Sequence, residues 1–117
     1  MRALFITDLF ANSLRELALR SSDPALLINS VYGAASQVAA GRPPAWADDH
    51  PLQGAYRAYR SFKPISEQPD LMVIYSVRAR SLILADMGVH ARFFTKGRKT
   101  KPVKSDRLKP HGSEEQA

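Results

Sequence analysis

The chain has 117 residues and a mass of 13.0 kDa, which suits one small domain with a short extension. Its hydrophobic fraction of 44% is sufficient for a buried core, and its net charge of +6 favours an anionic partner, either nucleic acid or an acidic protein. The absence of cysteine excludes disulfide scaffolds, thiolate zinc sites and cysteine nucleophiles. Because no apolar run approaches the roughly 18 residues of a membrane span and no signal peptide is evident, we expect a cytoplasmic protein without membrane contact.

The N-terminal part of the chain predicts one strand followed by two helices. An apolar run favours a strand over Arg2–Thr7, and Asp8 is a suitable N-cap for a helix that extends to about residue 20. The second helix has the clearest signals, since Asp23 can cap it, Pro24 suits its first position and Gly41 suits its end. Its narrow, alanine-rich apolar stripe predicts close packing on a sheet.

The second half of the folded segment predicts three strands. They cover Tyr56–Phe62, the β-branched run Leu71–Val77, and Arg80–Asp86. Gly88 is expected to end the last strand, and His90–Phe94 to close the domain as a turn or short helix. The order β-α-α-β-β-β predicts an α+β fold, with a small, twisted, antiparallel-rich sheet and a helical hairpin packed on one face.

The charge distribution divides the chain into a domain over residues 1–94 and a basic tail over residues 95–117. The tail carries a net charge of +4, with Val103 and Leu108 as its large aliphatic residues. A segment of this composition buries too little apolar surface to offset its ordering entropy, so we expect it to be disordered. Two roles remain open for the tail, a solubilising segment or an electrostatic arm that contacts RNA.

Several short motifs carry a family resemblance over roughly residues 44–94. They are Asp49-His-Pro-Leu-Gln-Gly54, Tyr59-Arg60, Pro69-Asp70 before Val73-Ile74-Tyr75, Gly88-Val-His90, and Phe94. In this order and spacing they resemble the YafQ branch of the RelE/ParE toxin superfamily. The resemblance implies a small toxin of a type II toxin–antitoxin system that needs no cofactor. It also implies a cognate antitoxin as partner and, for YafQ-like members, ribosome-dependent cleavage of messenger RNA that inhibits translation.

The resemblance also assigns candidate site residues. His50 and His90 stand where cleaving members place catalytic histidines, Asp70 at their carboxylate and Phe94 at a C-terminal aromatic residue. RNA cleavage without a metal requires deprotonation of a ribose 2′-OH, stabilisation of the phosphorane and protonation of the leaving oxygen. Histidine suits the proton transfers, and Arg or Lys suits the phosphate. Lys63 stands where the family has a further histidine, so it is the fourth catalytic candidate.

Three positions depart from the family pattern. Besides Lys63, a family tryptophan is replaced by Leu71 and a family arginine by Asp86. An unbalanced carboxylate at residue 86 would repel a bound phosphate. Cations from elsewhere could compensate, and the candidates for RNA binding, together with Phe94, are Arg57, Arg60, Arg78, Arg80 and Arg92. The sequence therefore leaves three functions open. The first is an endoribonuclease, the second is a non-catalytic protein of the same fold that inhibits gyrase or binds RNA or an antitoxin, and the third is a basic regulatory protein of a mobile element.

Ordinary structural roles compete with these assignments. His50 could be a turn residue and His90 a helix-start residue, while the adjacent pair Asp48–Asp49 is expected to face water. Tyr75 is expected in the core, together with at least one of the two phenylalanines at residues 93 and 94. Three widely spaced histidines without cysteine form a poor metal set, so we expect no metal site.

Overall fold

The computed structural model describes residues 1–94 as an α+β domain, as predicted. The predicted disordered tail, residues 95–117, lies outside the described residues. The strands are β1 (Ala3–Ile6), β2 (His50–Pro51), β3 (Arg60–Phe62), β4 (Leu71–Val77) and β5 (Ser81–Val89), and the helices are α1 (Asp8–Leu19), α2 (Pro24–Ala39) and α3 (His90–Phe93). Two short 3₁₀ turns, Ala45–Ala47 and Gly54–Tyr56, flank β2.

The strands form one five-stranded mixed sheet in the order β1-β5-β4-β3-β2. β1 pairs with β5 in parallel, whereas the other three pairings are antiparallel. The antiparallel-rich sheet is therefore confirmed, although the sequence did not predict the two-residue edge strand β2. This small strand matters because it carries His50 into register with Ser61 of β3.

The two long helices begin at capped positions. Asp23 accepts a hydrogen bond from the Leu26 amide at 3.1 Å, and Gly41 adopts a φ of +78° just after α2, as the sequence predicted. The N-cap of α1 is Thr7, whereas the prediction of Asp8 was wrong. Thr7 is preferred because its buried hydroxyl accepts from the Phe10 amide at 3.0 Å and donates to the Ala85 carbonyl at 2.7 Å.

The sheet has one face covered by α1 and α2 and one face without them. The covered face holds the larger core, in which Phe10 and Val31 of the helices pack with Val73, Tyr75 and Leu84 of the strands. This arrangement confirms the predicted helical hairpin on one face. A second cluster on the opposite face consists of Leu52, Tyr56, Met72, Ile74, Ala85 and Phe93. We call this opposite side of the sheet, where Phe93 of the short helix α3 packs, the α3 face.

Two predicted element boundaries were wrong. The strand predicted over Tyr56–Phe62 is confined to Arg60–Phe62, because Tyr56 lies in a 3₁₀ turn and packs its ring against Phe93 at 6.1 Å between ring centroids. Gly88 does not end β5, which continues to Val89. A glycine is needed at this position because a Cβ atom would lie 2.6 Å from Cδ of Arg92.

Replacement of Gly88 by alanine is therefore expected to destabilise the domain by about 1–3 kcal/mol, since Arg92 must leave its place. Gly33→Ala is the matched control, because nothing lies within 4 Å of the position of its Cβ in α2. That change should stabilise the domain by about 0.5–1 kcal/mol through helix propensity. Urea unfolding measures the change in the free energy of unfolding for each variant. Equal changes in Gly88→Ala and Gly33→Ala would contradict the close approach at Gly88.

Within residues 1–94, none of the helices combines the length and apolar character that a membrane crossing requires.

Candidate functional site

A cleft of about 300 Å³ opens on the α3 face, where β4 begins and β5 ends. It is lined by Asp48, His50, Leu52, Ser61, Lys63, Pro69, Asp70, Met72, His90 and Phe94. All four residues predicted as catalytic line this cleft, as does the predicted aromatic residue Phe94. The structure therefore brings together side chains from four separate segments of the sequence.

The first wall of the cleft carries His50 in a defined orientation. Nδ1 of His50 lies 2.6 Å from the backbone carbonyl oxygen of Asp48. A carbonyl oxygen can only accept a hydrogen bond, so Nδ1 must carry the proton. In the neutral ring, Nε2 then has a free lone pair and can act as a proton acceptor. Asp48 supplies this carbonyl from a left-handed backbone conformation with a φ of +52°.

Lys63 and His50 share the carboxylate of Asp48. Nζ of Lys63 and Nδ1 of His50 each lie 3.8 Å from Oδ2 of Asp48. The backbone of Lys63 is fixed by a hydrogen bond of 2.7 Å from its amide to the Ala47 carbonyl. Lys63 lies two residues beyond Ser61, and strand alternation directs both side chains into the cleft.

The second wall joins the start of β4 to α3. The amide of His90 donates to the Asp70 carbonyl at 2.9 Å, and the amide of Phe94 donates to the His90 carbonyl at 3.0 Å. The rings of His90 and Phe94 face one another with centroids 5.0 Å apart and an interplanar angle of 40°. Phe94 also packs against Tyr56 at 5.4 Å, whereas the neighbouring Phe93 is buried in the core as predicted.

A partly buried network lies beside β2, the strand that carries His50. Arg60 contacts Oδ2 of Asp49 at 3.3 Å and donates from Nε to the Tyr75 hydroxyl at 3.1 Å, while that hydroxyl donates to Oδ1 of Asp49. The prediction that Asp49 faces water was wrong, because its carboxylate neutralises Arg60 against the sheet. Burial, together with the hydrogen bond to Asp49, raises the pKa of Tyr75 and keeps its hydroxyl protonated.

None of the five arginines proposed for RNA binding lines the cleft. Arg60 and Arg92 form ion pairs within the domain, with Asp49 and Asp86 respectively. The other three arginines are exposed outside the cleft, and they are Arg57, Arg78 and Arg80. Contact of these side chains with RNA therefore stays a prediction, and the lysine at residue 63 is the permanent cation of the cleft within residues 1–94.

Asp86 is a buried, neutralised carboxylate and not a lining residue of the cleft. Oδ1 accepts hydrogen bonds from the Ser13 hydroxyl at 2.7 Å and the Met87 amide at 2.8 Å, and Oδ2 lies 3.1 Å from Arg92. The negative charge of Asp86, which was expected from the sequence to repel a bound phosphate, is therefore compensated by Arg92. Burial raises the pKa of Asp86, and the hydrogen bond from Ser13 and the charge of Arg92 only partly offset this effect.

The raised pKa of Asp86 predicts a pH dependence of stability. The folded protein binds this proton more tightly than the unfolded chain, so the contribution is complete below the ordinary carboxyl value of about 4 and is lost as the pH rises through the raised value. We expect the free energy of unfolding of the wild type, relative to Asp86→Asn, to decrease as the pH rises from about 4. Urea unfolding across this range measures the difference, and an increase with pH would contradict the dominance of burial.

Leu71 is buried in the core on the covered face, so the residue at the family's tryptophan position does not reach the cleft. Among residues 1–94, no group of three or more His, Asp or Glu side chains is arranged to hold a metal ion.

Comparison with known proteins finds structural neighbours but no sequence family. No family model and no curated protein matches the chain. Among solved structures, YafQ from Escherichia coli is 23% identical with a TM-score of 0.66, covering 80% of this chain and 99% of its own. The E. coli DinJ–YafQ complex gives 24% identity and a TM-score of 0.65, over 80% and 99%. A copper-bound mutant toxin from Helicobacter pylori gives 23% and 0.67, over 80% and 100%.

This chain has the YafQ fold. The resemblance drawn from the motifs is thereby confirmed at the level of the fold. The YafQ structures are covered almost completely, whereas one fifth of this chain has no counterpart in them.

Sequence reasoning missed two contributors to the cleft of this YafQ-like fold. Asp48 is exposed, as expected, but its carbonyl and carboxylate also contact His50 and Lys63, which the sequence did not indicate. The tolerance of aspartate for a positive φ was an available signal, although nothing in the sequence indicated that this position needs one. Ser61 was also missed because its position depends on the unpredicted pairing of β2 with β3.

Proposed function

We propose that this chain is the toxin of a type II toxin–antitoxin system and cuts messenger RNA on the ribosome. The observation that carries the proposal is the convergence of His50, Lys63, Asp70, His90 and Phe94 in one cleft. Two histidines, a carboxylate and a lysine form a set suited to proton transfer at a phosphodiester.

The geometry supports His50 as the general base. Since its Nδ1 proton is held by the Asp48 carbonyl, Nε2 is available to accept the proton of a ribose 2′-OH. The 2′ oxygen then attacks the adjacent phosphorus, and the bond from phosphorus to the 5′ oxygen breaks. The products are a 2′,3′-cyclic phosphate and a 5′-hydroxyl end.

His90 is suited to protonate the leaving 5′ oxygen from the opposite wall. Asp70 lines the same cleft, and its carboxylate is suited to orient the imidazole of His90 for this step. Lys63 stabilises the additional negative charge of the phosphorane. The ring of Phe94, which lies beside His90, offers a stacking surface for a base next to the scissile phosphate.

The single permanent cation among the described lining residues supports dependence on the ribosome. A free message would be held weakly by Lys63 alone, whereas a ribosome-bound message is already positioned. Association with the ribosome is expected to use the overall positive charge and to weaken steeply with salt. This function places the protein in the cytoplasm.

An antitoxin is the second partner in this proposal. The E. coli DinJ–YafQ complex shows a protein of this fold bound to its partner. The net positive charge of this chain favours an antitoxin segment with acidic residues, which would compete with RNA.

The alternative function is non-catalytic binding by the same fold. Two observations favour it, since the cleft has no arginine among its described lining residues and Leu71 lies in the core instead of the cleft. Such a protein would bind RNA or an antitoxin, or inhibit gyrase, without cutting a message.

Induced expression of the full chain in bacterial cells separates these functions. Incorporation of labelled methionine and plasmid supercoiling are followed in the same culture, with His90→Ala as the comparison. The proposal predicts that protein synthesis stops first, that supercoiling is retained and that His90→Ala is harmless. Loss of supercoiling with DNA breaks, or arrest that persists in His90→Ala, would overturn it.

A further inference from the structure

We propose that Asp86 and Arg92 are positioning residues that hold α3, and with it His90 and Phe94, against the cleft. The inference rests on the proposed function only for its effect on cleavage, because the positioning itself is measurable without activity. Arg92 lies between the two cleft residues in sequence, and its guanidinium contacts the buried Oδ2 of Asp86 at 3.1 Å.

The α3 turn needs an external anchor. It has only four residues and no side-chain hydrogen bond at its N-cap, Val89. A helix of this length is not stable by itself, because it forms too few backbone hydrogen bonds to offset its nucleation cost. The hydrogen bonds from the His90 amide to Asp70 and from the Phe94 amide to His90 hold the backbone of α3. The contact of Arg92 with Asp86 adds a side-chain interaction with β5.

Asp86 is a rigid anchor point. Its side chain is 4% exposed, and Oδ1 is held by the Ser13 hydroxyl of α1 and the amide of Met87. The remaining oxygen, Oδ2, therefore has a fixed position from which to hold Arg92. The ion pair joins α3 to β5, and the hydrogen bond from Ser13 to Asp86 extends this connection to α1.

The backbone of β5 is shaped to let Arg92 reach this anchor. Cδ of Arg92 passes so close to Gly88 that a Cβ there would lie 2.6 Å away. The guanidinium carbon also lies 5.7 Å from the ring centroid of Phe93, the buried last residue of α3. The close approach to Gly88 and the contact with Phe93 limit the conformations of the Arg92 side chain.

The ion pair with Arg92 gives Asp86, one of the three departures from the family pattern, a structural role. An arginine at residue 86 would be a candidate for phosphate binding, whereas Asp86 uses its charge internally to secure the turn that carries His90. The acidic residue therefore serves the cleft by fixing its geometry and not by contacting RNA.

The test compares Arg92→Gln, Arg92→Lys and the control Arg15→Gln, which removes the same charge from the exposed surface of α1. Hydrogen exchange of the His90 and Phe94 amides and the nuclear Overhauser effect between their rings report position without requiring activity. Cleavage of a ribosome-bound message is measured on the same samples. Protection of amides in β4 and β5 verifies that each variant is folded.

We expect Arg92→Gln to accelerate exchange at His90 and Phe94 about tenfold with β4 and β5 still protected. The same change should lower kcat about tenfold or more with little change in KM, because the chemical step depends on His90 geometry. Arg92→Lys should restore much of the amide protection and of kcat, and Arg15→Gln should change neither the exchange rates nor kcat. If Arg92→Gln does not fold, Asp86→Asn takes its place, since it retains the Oδ1 acceptor and removes the charge.

Unchanged exchange at His90 and Phe94 would overturn the inference, as would altered exchange with a normal kcat in a chain that cuts RNA. If the wild type cuts no message, the proposed function fails. The exchange measurement then decides the positioning role alone.

Discussion

Replacement of His50 by alanine is expected to lower the rate of message cleavage about 10²–10⁴-fold, the range typical of a lost general base. The effect is large because the Asp48 carbonyl fixes the ring in the tautomer that presents Nε2 as a proton acceptor. Within the described cleft, Asp70 belongs to the opposite wall with His90, so it does not occupy the position of His50.

This variant should remain folded, because the His50 side chain is half-exposed and lies outside the two apolar clusters. Gln53→Ala is the matched control, since Gln53 is exposed in the same loop and does not line the cleft. Cleavage is measured by primer extension, and binding by sedimentation with ribosomes. We expect His50→Ala to sediment normally without cutting, whereas wild-type cleavage by this variant would refute the assignment of the base.

Replacement of Asp86 by alanine is expected to destabilise the domain by about 2–4 kcal/mol. The change leaves the Ser13 hydroxyl and the Met87 amide without their acceptor in a buried site, and each unsatisfied buried donor costs about 1–3 kcal/mol. For a domain of this size, 1 kcal/mol corresponds to about 4–8 °C in the midpoint of thermal unfolding.

Asp86→Asn is the matched control for this prediction. Its Oδ1 can still accept from Ser13 and Met87, so it isolates the lost acceptor from the lost charge. We expect Asp86→Asn to be clearly more stable than Asp86→Ala at neutral pH. Equal stability of the two variants, measured by urea unfolding, would show that the hydrogen bonds to Oδ1 contribute nothing.

The elements with strong local signals were predictable from the sequence. Asp23, Pro24 and Gly41 mark the limits of α2 through local capping chemistry, and the continuous apolar run of β4 indicates a strand buried on both faces. The boundaries that failed depend on tertiary contacts. Thr7 caps α1 because Ala85 lies beside it, and β5 continues through Gly88 because this residue pairs with Met72 of β4.

The same division applies to the cleft. His50, Lys63, Asp70 and His90 were identified through the family resemblance, and the structure brings all four together. The partner of each charge was not predictable, because it depends on which distant residues the sheet brings together. Arg60 meets Asp49 only after β2 pairs with β3, and because β2 was not predicted, Arg60 was proposed as a cation available for RNA.

The pairing of Asp86 with Arg92 shows why a substitution in a motif does not by itself indicate loss of function. In the sequence, an acidic residue at an arginine position suggests an unfavourable field at the phosphate. In the structure the two residues neutralise one another beside Ser13, and neither lines the cleft. Lys63 therefore remains as the cation next to His50, through their common contact with Asp48.

Primer extension on a reporter message translated in a cell-free extract tests the central claim most directly. The purified full chain is compared with His50→Ala and His90→Ala, and the same message is incubated with the wild type in the absence of ribosomes. The account predicts cuts within codons that require ribosomes and disappear in both variants. A message that stays intact during translation with the wild-type chain, or cuts that persist in both histidine variants, would contradict it.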